Sequence, residues 1–560
     1  MRRLSVYWVL AMLLTAIPVA TSAASRAAGE VAVSTVTGLT TSTTPIPYLN
    51  LSVSLANRIH TSLLNRTSGA YFYSISSDWT IVTSTQYSTL GNALIVAGLL
   101  QLYEATGNQT YLLWASTTSD QFWDHAWDQG TGGFYDTYDP NWARSTCDQI
   151  TQDNAMFEID FLDLYRLNGS SQWLQHADAE EQLLNDRFWN VTDGIVEVGY
   201  TPCTGLQSGD VDIETSIGSY LWATGEWTSV SGNASYLTRM NAAASFAHRY
   251  LWDDVSNTLQ GGPDSTDCGG PSGSLGFMRS VYANLTGLED CRKGANENIW
   301  GAMGLAELYA LTGNSTLLSW TDQDLTWINN TLWDPVYGGY HNDVFRNDTL
   351  RSSCSSTNDP NDYPGWTQGE QPMFWWTIGG LTGNATMTNW SLVAEKWTAE
   401  NQWNYTNGNG GDVTCLNGNA LPDAGSPDLY DWIQGSALYS FSTIGAPEKT
   451  ASSTTTSSSI ASSSIASSSI ASSSIASSSI ASSSIASSSI IYSSTALASS
   501  STTTVATRSS TQTGSNTTTI HAKGPAASAI YVALGALGLI VVTAAGLILY
   551  RRKAIRKVTR

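Results

Sequence analysis

The chain has 560 residues and a formal net charge of −21, and only 13% of its residues are charged, against about 25% in an average soluble protein. So acidic a chain disfavours nucleic acid as a partner, because the phosphates would be repelled. The six cysteines show no C-x-x-C spacing, so we expect disulfides whose pairing stays open. No metal and no cofactor is expected; calcium in the acidic stretches DVDIE or DQDL is the alternative.

The N-terminus carries Arg2 and Arg3, an apolar run at 4–20 and small residues at 21–24. This order is typical of a secretory signal peptide, so we predict a signal at 1–24 and a linker at 25–45. The protein is then expected outside the cell, where around a dozen Asn-x-Ser/Thr motifs fit an N-glycosylated surface. The low charge content suits an acidic exterior, in which carboxyl groups keep their protons.

Residues 46–445 alternate between two kinds of predicted helix. The first kind, such as LGNALIVAGLLQLYEA, is apolar almost all round and rich in Gly and Ala, which indicates burial on every side. The second kind, such as YLLWASTTSDQFWDHAW, has polar residues between apolar ones at helical spacing, which indicates half exposure. Turns such as TGNQTYL link the first kind to the second five times. Twelve helices in six pairs predict an all-α fold, an (α/α)6 toroid with an inner ring inside an outer ring.

The chain beyond this domain has a different composition. Residues 446–525 are rich in Ser and Thr and repeat SSSIA, which predicts a disordered, O-glycosylated stalk. The uncharged run at 526–550 is long enough for a transmembrane helix, which needs about 20 apolar residues. The basic tail at 551–560 is then cytoplasmic. The sequence predicts a single-pass type I cell-membrane protein with a monomeric extracellular domain.

The stretch TQDNAMFEIDFLDLYRLNGSSQWL resembles the glycoside hydrolase family 76 α-1,6-mannanases, in which a helix with adjacent aspartates precedes a similar pattern. GGFYDTYD is reminiscent of the N-acylglucosamine epimerase-like toroids. The resemblance implies the six-hairpin toroid fold and a sugar substrate. This sequence has Gln152 and Asp153 where family 76 has two aspartates. Either a carboxylate on another helix replaces the missing one, with inversion as one option, or the activity differs.

Acidic residues recur near the starts of successive buried helices. They are Asp153, Glu214, Glu297, Glu370 and Asp431. In a ring, these first turns would converge on one axial pit, and glycosidic cleavage needs one carboxyl group to protonate the leaving oxygen and another to attack or to activate water. We predict that two or more of the five are catalytic, with Asp153 and Glu297 foremost. For any single acid, helix capping is the alternative explanation.

Aromatic and amide side chains near the same helix starts are predicted to bind the sugar through stacking and hydrogen bonds. They are Trp142, Gln152, Asn154, Trp300, Trp366, Gln371, Tyr430 and Trp432. Trp142 and Trp366 lie in Gly-, Pro- and Asn-rich loop sequence, which favours them for stacking. Trp300 could equally be a packing residue.

Together these features predict a membrane-anchored extracellular glycoside hydrolase or transglycosidase that acts on a polysaccharide or glycoprotein glycan. An α-mannan is favoured by the resemblance alone. The first alternative is a non-catalytic surface carbohydrate-binding protein. The second is a sugar epimerase or isomerase, for which the resemblance implies paired histidines, whereas His125, His176 and His248 fall on half-exposed helices.

Overall fold

The structure, a computed structural model, describes residues 47–254, 257, 259–266, 268, 275–351, 363–403, 415–416 and 428–446. Six helices form an inner ring, because each packs against two other inner helices and the last packs against the first. The inner helices are α2 (Thr89–Thr106), α4 (Thr151–Asn168), α6 (Ser219–Ser231), α8 (Ala295–Thr312), α10 (Gly365–Thr382) and α12 (Asp431–Gly445). The predicted (α/α)6 toroid is confirmed.

Six outer helices surround this ring, each packed on the inner helix of its own pair. They are α1 (Tyr48–Ser62), α3 (Gln109–His125), α5 (Ser171–Leu183), α7 (Leu237–Phe246), α9 (Ser315–Thr331) and α11 (Ala385–Trp397). Helices α5, α7 and α11 each run on into a π-helical turn, at Leu184–Phe188, Ala247–Leu251 and Thr398–Gln402. A fourth π-helical segment, Ile213–Gly218, leads into α6.

Glycine on the inner helices is required by their close approach. A Cβ atom at Gly435 on α12 would lie 2.8 Å from the backbone nitrogen of Ile95 on α2. One at Gly218 would lie 2.6 Å from the backbone oxygen of Trp300. A glycine inside a helix costs about 1 kcal/mol relative to alanine, so close packing of the inner ring must offset that cost.

The prediction of a purely helical domain was wrong in one respect, because nineteen short strands lie in the described loops that lead into the inner helices. They are β1 (Ser74–Ser76), β2 (Val82–Ser84), β3 (Tyr87–Ser88), β4 (Thr137–Tyr138), β5 (Gln149–Ile150), β6 (Trp189–Asn190), β7 (Ile195–Val196), β8 (Gly199–Thr201), β9 (Leu206–Gln207), β10 (Asp210–Asp212), β11 (Gly261–Thr266), β12 (Ser280–Tyr282), β13 (Leu288–Asp290), β14 (Lys293–Gly294), β15 (Asp343–Val344), β16 (Leu350–Arg351), β17 (Tyr363–Pro364), β18 (Cys415–Leu416) and β19 (Asp428–Tyr430). Buried loop backbone needs hydrogen-bond partners, and pairing with a neighbouring loop supplies them.

These strands form seven small sheets, ordered β19-β1-β2, β10-β12-β13-β11, β14-β15-β16, β17-β18, β3-β4, β5-β8-β9 and β6-β7. Strands β1 and β19 pair in antiparallel fashion, with Ile75 opposite Leu429, so the two ends of the domain are joined. Six strands (β3, β5, β10, β14, β17 and β19) end directly before an inner helix or its π-helical turn. The strands therefore hold the starts of the inner helices in place.

A repeated amide contact also holds these helix starts. The side chains of Asn92, Asn154, Asn298 and Gln368, one on each of four inner helices, both accept from and donate to the backbone of one aromatic residue in the preceding loop. Those residues are Tyr71, Phe134, Phe277 and Tyr340, respectively. Each of these four loops is thereby held against the inner helix that follows it.

Two disulfides link the described loops at this end, Cys147–Cys203 and Cys268–Cys291. Cys354 and the side chain of Cys415 lie outside the described residues. In the part of the chain that the structure describes, no helix combines the length and apolarity needed to cross a membrane. The predicted signal at 1–24, linker at 25–45, stalk at 447–525, span at 526–550 and tail at 551–560 lie outside that part.

Carboxyl groups are buried between the two rings as well. Glu158 on α4 and Glu181 on α5 are both buried, and they lie close enough for the charge of Glu181 to act on Glu158. Burial raises the pKa of Glu181 to about 8, and burial and the neighbouring Glu181 raise that of Glu158 well above its usual range. Glu180 and Asp178 lie close by, while Asn185, Thr224 and Arg239 favour the charged form of Glu181.

This pair predicts that the fold is most stable in acid. The unfolded glutamates ionise near pH 4.5, whereas folded Glu181 keeps its proton to about 8, so stability falls as pH rises between these values. We expect the melting temperature to decline from pH 5 to pH 8, measured by circular dichroism, and Glu158→Gln to flatten that decline. The exposed control Glu104→Gln should leave it unchanged; a wild-type melting temperature that rises with pH contradicts the prediction.

Candidate active site

The five predicted acids all lie at the starts of inner helices, at one end of the ring. Asp153, Glu297 and Glu370 lie in the first two turns of α4, α8 and α10, Glu214 lies in the π-helical turn before α6, and Asp431 is the first residue of α12. A π-helical turn changes the direction in which a side chain points, and such turns are frequent at functional sites.

Three of these acids form a glutamate cluster, Glu214, Glu297 and Glu370, drawn from three successive inner helices. Burial, followed by the carboxylates of Glu297 and Glu370, raises the pKa of Glu214 well above its usual range. Burial raises the pKa of Glu297 to about 7 and that of Glu370 to about 8. Glu297 and Glu370 therefore titrate near neutral pH, which is where acid–base catalysis needs them.

Arg279 supplies a positive charge to this cluster, and sequence reasoning missed it. Its side chain is 1% exposed, with Nε 3.0 Å from Oδ2 of Asp212 and 3.7 Å from Oε1 of Glu297. After burial, which raises the pKa of Glu297, the largest influence is this guanidinium, which lowers it. The available signal was an arginine between apolar residues in GFMRSVY, because a buried arginine needs a buried acid.

The neighbours of Arg279 and Glu370 hold both in position. Asp212 caps the π-helical turn, with Oδ1 accepting the backbone N–H groups of Glu214 and Thr215 at 2.8 and 3.0 Å. Oε2 of Glu370 accepts from Trp300 Nε1 and Asn296 Nδ2, both at 2.8 Å. Trp300 is fully buried, so it orients Glu370 instead of offering a face for sugar stacking.

A second group of acids, the aspartate cluster, contains Asp153, Asp136 and Asp431 together with Tyr73. Burial and the carboxylate of Asp136 raise the pKa of Asp153 well above its usual range. Burial, followed by the charges of Asp431, Tyr430 and Asp136, also raises the pKa of the Tyr73 phenol well above its usual range. Asp136 lies in the GGFYDTYD motif and brings a second carboxylate to Asp153, at the place where Gln152 replaces an acid. Sequence reasoning missed both Asp136 and Tyr73.

Gln152 connects the two clusters, since its Nε2 lies 3.3 Å from Oε1 of Glu214. Aromatic rings line the stretch from α10 to the aspartate cluster: Trp366 and Trp432 are 5.4 Å apart, and Tyr430 and Tyr73 are 5.5 Å apart. Tyr430 lies 6.2 Å from Trp432, which joins the two pairs. These rings remain predicted sugar-binding residues.

Three predicted binding residues have other contacts. Asn154 uses its carbonyl and its amide on the backbone of Phe134. Gln371 donates to the backbone oxygen of Ala295 and accepts from Trp375 Nε1. Trp142 packs against the rings of Tyr87 and Phe122. These contacts argue for structural roles.

The axial pit stays a prediction, and the acids that were expected to line it are buried. Each of the five predicted acids is at most 2% exposed. Two surface cavities, of about 360 and 400 Å³, lie on outer helices instead, one beside Trp327 on α9 and one beside Leu113 on α3, and no predicted acid lines either. The three glutamates converge at a buried site.

The five described histidines stack on aromatic rings. His60 and His176 lie 3.6 Å from Trp114 and Trp123, respectively, between neighbouring outer helices. Burial lowers the pKa of both histidines to about 4, so they are neutral at pH 7. The others, His125, His248 and His341, stack on Trp142, Trp320 and Tyr363. No described histidine lies in the first turn of an inner helix.

Among the described residues, no group of three or more His, Cys, Asp or Glu side chains is arranged to hold a metal ion. Asp212, in the DVDIE stretch, instead caps a helix and binds Arg279. Neither observation supports a calcium site in the DVDIE stretch.

Gly91 on α2 makes room for Asp431, because a Cβ atom there would lie 2.1 Å from Oδ2 of Asp431. We expect Gly91→Ala to displace the carboxylate and to destabilise the fold by about 1–3 kcal/mol, as overpacking does. Urea unfolding measures the loss. Gly380→Ala on α10, where a Cβ would meet nothing within 4 Å, is the matched control. If the two variants are equally stable, the carboxylate of Asp431 can move aside without a loss in the free energy of unfolding.

No family model matches the chain, and no curated protein is significantly similar to it in sequence. Solved structures do share its fold. A D-mannose isomerase is 13% identical, with a TM-score of 0.56 over 72% of this chain and 99% of that one. A cellobiose 2-epimerase from Bacillus thermoamylovorans is 12% identical, with a TM-score of 0.56 over 70% and 99%.

A family 76 glycoside hydrolase (mannosidase) from Bacteroides thetaiotaomicron is 12% identical, with a TM-score of 0.51 over 71% of this chain and 98% of that one. The domain therefore has the fold of the six-hairpin (α/α)6-toroid enzymes, as the sequence resemblance implied. At such low identity the likeness shows the fold alone.

Proposed function

We propose that the protein is a glycoside hydrolase whose acid–base chemistry is performed by the glutamate cluster. The observation that carries the proposal is the meeting of Glu214, Glu297 and Glu370 beside the guanidinium of Arg279, with the pKa of Glu297 at about 7 and that of Glu370 at about 8. The guanidinium beside Glu297 favours the charged form of that carboxyl group, so the two glutamates are suited to opposite roles.

In this proposal Glu370 is the acid and Glu297 the carboxylate. Glu370 gives its proton to the glycosidic oxygen, so that the bond to the anomeric carbon breaks and an alcohol leaves. Glu297 either takes a proton from the water that attacks the anomeric carbon or attacks that carbon itself, in which case Glu370 later deprotonates the water that releases the sugar. Glu214 keeps its proton, because burial and the carboxylates of Glu297 and Glu370 raise its pKa well above the usual range.

Hydrolysis is favoured over epimerisation because the histidines that the epimerase resemblance implies are not among the described residues near the acids. The family 76 resemblance of α4 supports a mannan-like substrate, and Asp136 beside Asp153 supplies the second carboxylate that Gln152 does not. The aspartate cluster and the rings of Trp366, Trp432 and Tyr430 would then bind sugar next to the glutamates. Secretion and anchoring at the cell surface belong to the same proposal.

The test uses the full-length protein on a panel of polysaccharides and glycoprotein glycans that includes α-mannan. We expect release of reducing ends, and a loss of about 10²–10⁴-fold in Glu370→Gln, the usual contribution of a general acid. NMR of the same reactions reports epimerised sugar. Epimerisation without release would overturn the proposal in favour of an isomerase, and glycan binding with neither reaction would favour a carbohydrate-binding protein.

A further inference from the structure

The end of the toroid opposite the acids carries a repeated feature that the proposed function does not use. Five inner helices end on a glycine with φ between 67° and 72°, and each is followed within a few residues by an outer helix. The glycines are Gly107, Gly169, Gly232, Gly313 and Gly383. Because the acids mark the starts of the inner helices, these turns all lie at the other end of the ring.

Every one of these five turns contains an Asn-x-Ser/Thr motif, the acceptor for N-linked glycans. The asparagines are Asn108, Asn168, Asn233, Asn314 and Asn384. Four are exposed, whereas Asn384 is half-buried and its side-chain amide donates a hydrogen bond to Asp322. This end of the ring therefore presents four exposed acceptors, each at the turn of a different helical hairpin.

The local geometry is compatible with a glycan at each exposed asparagine. In all five turns the side-chain oxygen of the asparagine accepts the backbone N–H of the Ser or Thr two residues on, at 2.9–3.1 Å. This turn uses the carbonyl oxygen and not the amide nitrogen, which is the atom that bears a glycan. A glycan and the turn can therefore coexist.

Helix capping by the asparagine does not explain why a Ser or Thr stands two residues after it. An asparagine cap at Asn108, Asn314 or Asn384 needs only a backbone N–H from the next residues, which any non-proline residue offers. Thr110, Thr316 and Thr386 nevertheless complete the motif, as Ser170 and Ser235 do in the other two turns. The hydroxyl at this position is what the glycosylation acceptor requires in addition.

In contrast, two other asparagines in Asn-x-Ser/Thr motifs use their amide nitrogens in hydrogen bonds. Nδ2 of Asn65 donates to the hydroxyl of Tyr87 at 2.6 Å, and Nδ2 of Asn190 donates to Asp193 and Glu197 at 2.9 and 2.8 Å. A glycan on either nitrogen would break these contacts. Location in the fold therefore separates acceptors that the folded protein tolerates from those that it does not.

We propose that the four exposed turn asparagines, Asn108, Asn168, Asn233 and Asn314, carry N-linked glycans and form a glycosylated band around the end of the toroid opposite the acids. Bulky, hydrated glycans there keep other macromolecules from packing on that end, so a large glycan substrate approaches from the loop end. Exposed Asn284 and Asn347 lie in hairpin loops of the loop end and would add isolated glycans there.

The test is site mapping on the full-length chain made in a eukaryotic cell. Enzymatic release of N-glycans in ¹⁸O water leaves a labelled aspartate at each occupied site, which peptide mass spectrometry locates. We expect label at the four exposed turn asparagines and none at Asn65, Asn190 or Asn384. An intact Cys147–Cys203 disulfide shows that the chain entered an oxidising compartment, so absence of label at the turns in that material overturns the proposal.

Matched variants distinguish the loss of a glycan from the loss of the turn contact. Thr110→Ala and Thr316→Ala should each remove one glycan and keep the asparagine contact, whereas Thr110→Ser should keep both. An unchanged glycoprotein mass in Thr110→Ala would show that Asn108 is not modified. None of these residues is near the acids, so the result stands apart from any test of hydrolysis.

Discussion

Replacing Glu297 by Gln is expected to lower glycan hydrolysis by about 10³-fold while the protein stays folded, because the variant keeps the shape of the side chain and loses its charge. In the wild type, activity should require ionised Glu297 and protonated Glu370. The pH profile should therefore rise near 7 and fall above about 8, from the pKa values of the two groups. Steady-state rates across this range measure both limbs.

The matched control is Glu307→Gln, a buried acid on the same helix α8 that lies outside the glutamate cluster. It should keep the wild-type rate and profile. Equal losses in both variants would mean that any change to buried acids on α8 disturbs the fold. An activity optimum near neutral pH would contradict the prediction that the enzyme works in an acidic exterior. The melting temperatures test separately whether the fold is suited to acid.

Replacing Arg279 by Met is expected to destabilise the fold by about 3–5 kcal/mol, the usual cost of removing one partner of a buried ion pair. Asp212 and Glu297 would be left buried without their counter-charge. The pKa of Glu297 should rise, so the acid limb of any remaining activity moves to higher pH. Urea unfolding and the pH profile are the two measurements.

Arg66→Met, at an exposed position, is the control and should change stability by less than about 0.5 kcal/mol. Asp212→Asn combined with Arg279→Met should recover part of the loss, because one of the stranded charges is gone. If Arg279→Met unfolds like the wild type and keeps its pH profile, the guanidinium has no part in setting the charge of Glu297.

Much of the architecture could be read from the sequence because it is repeated. Inner helices are apolar on all sides and outer helices on one, and six alternations of these patterns allow few arrangements other than two concentric rings. The position of the acids followed from the same pattern, since Asp153, Glu297 and Asp431 stand at predicted helix starts. The glycine turns were equally visible, because a helix end with positive φ favours glycine.

Tertiary structure alone decided what surrounds those acids. Arg279, Asp136 and Tyr73 come from loops whose paths depend on strand pairings between segments far apart in the chain, such as β1 with β19. Asn154 and Trp300 looked like sugar-binding residues but are occupied in holding Phe134 and Glu370. Helix periodicity is a local property, so it can be recognised from residues that are neighbours in the sequence. Burial and charge at a site are sums over every segment that packs there, so they exist only once the ring has closed.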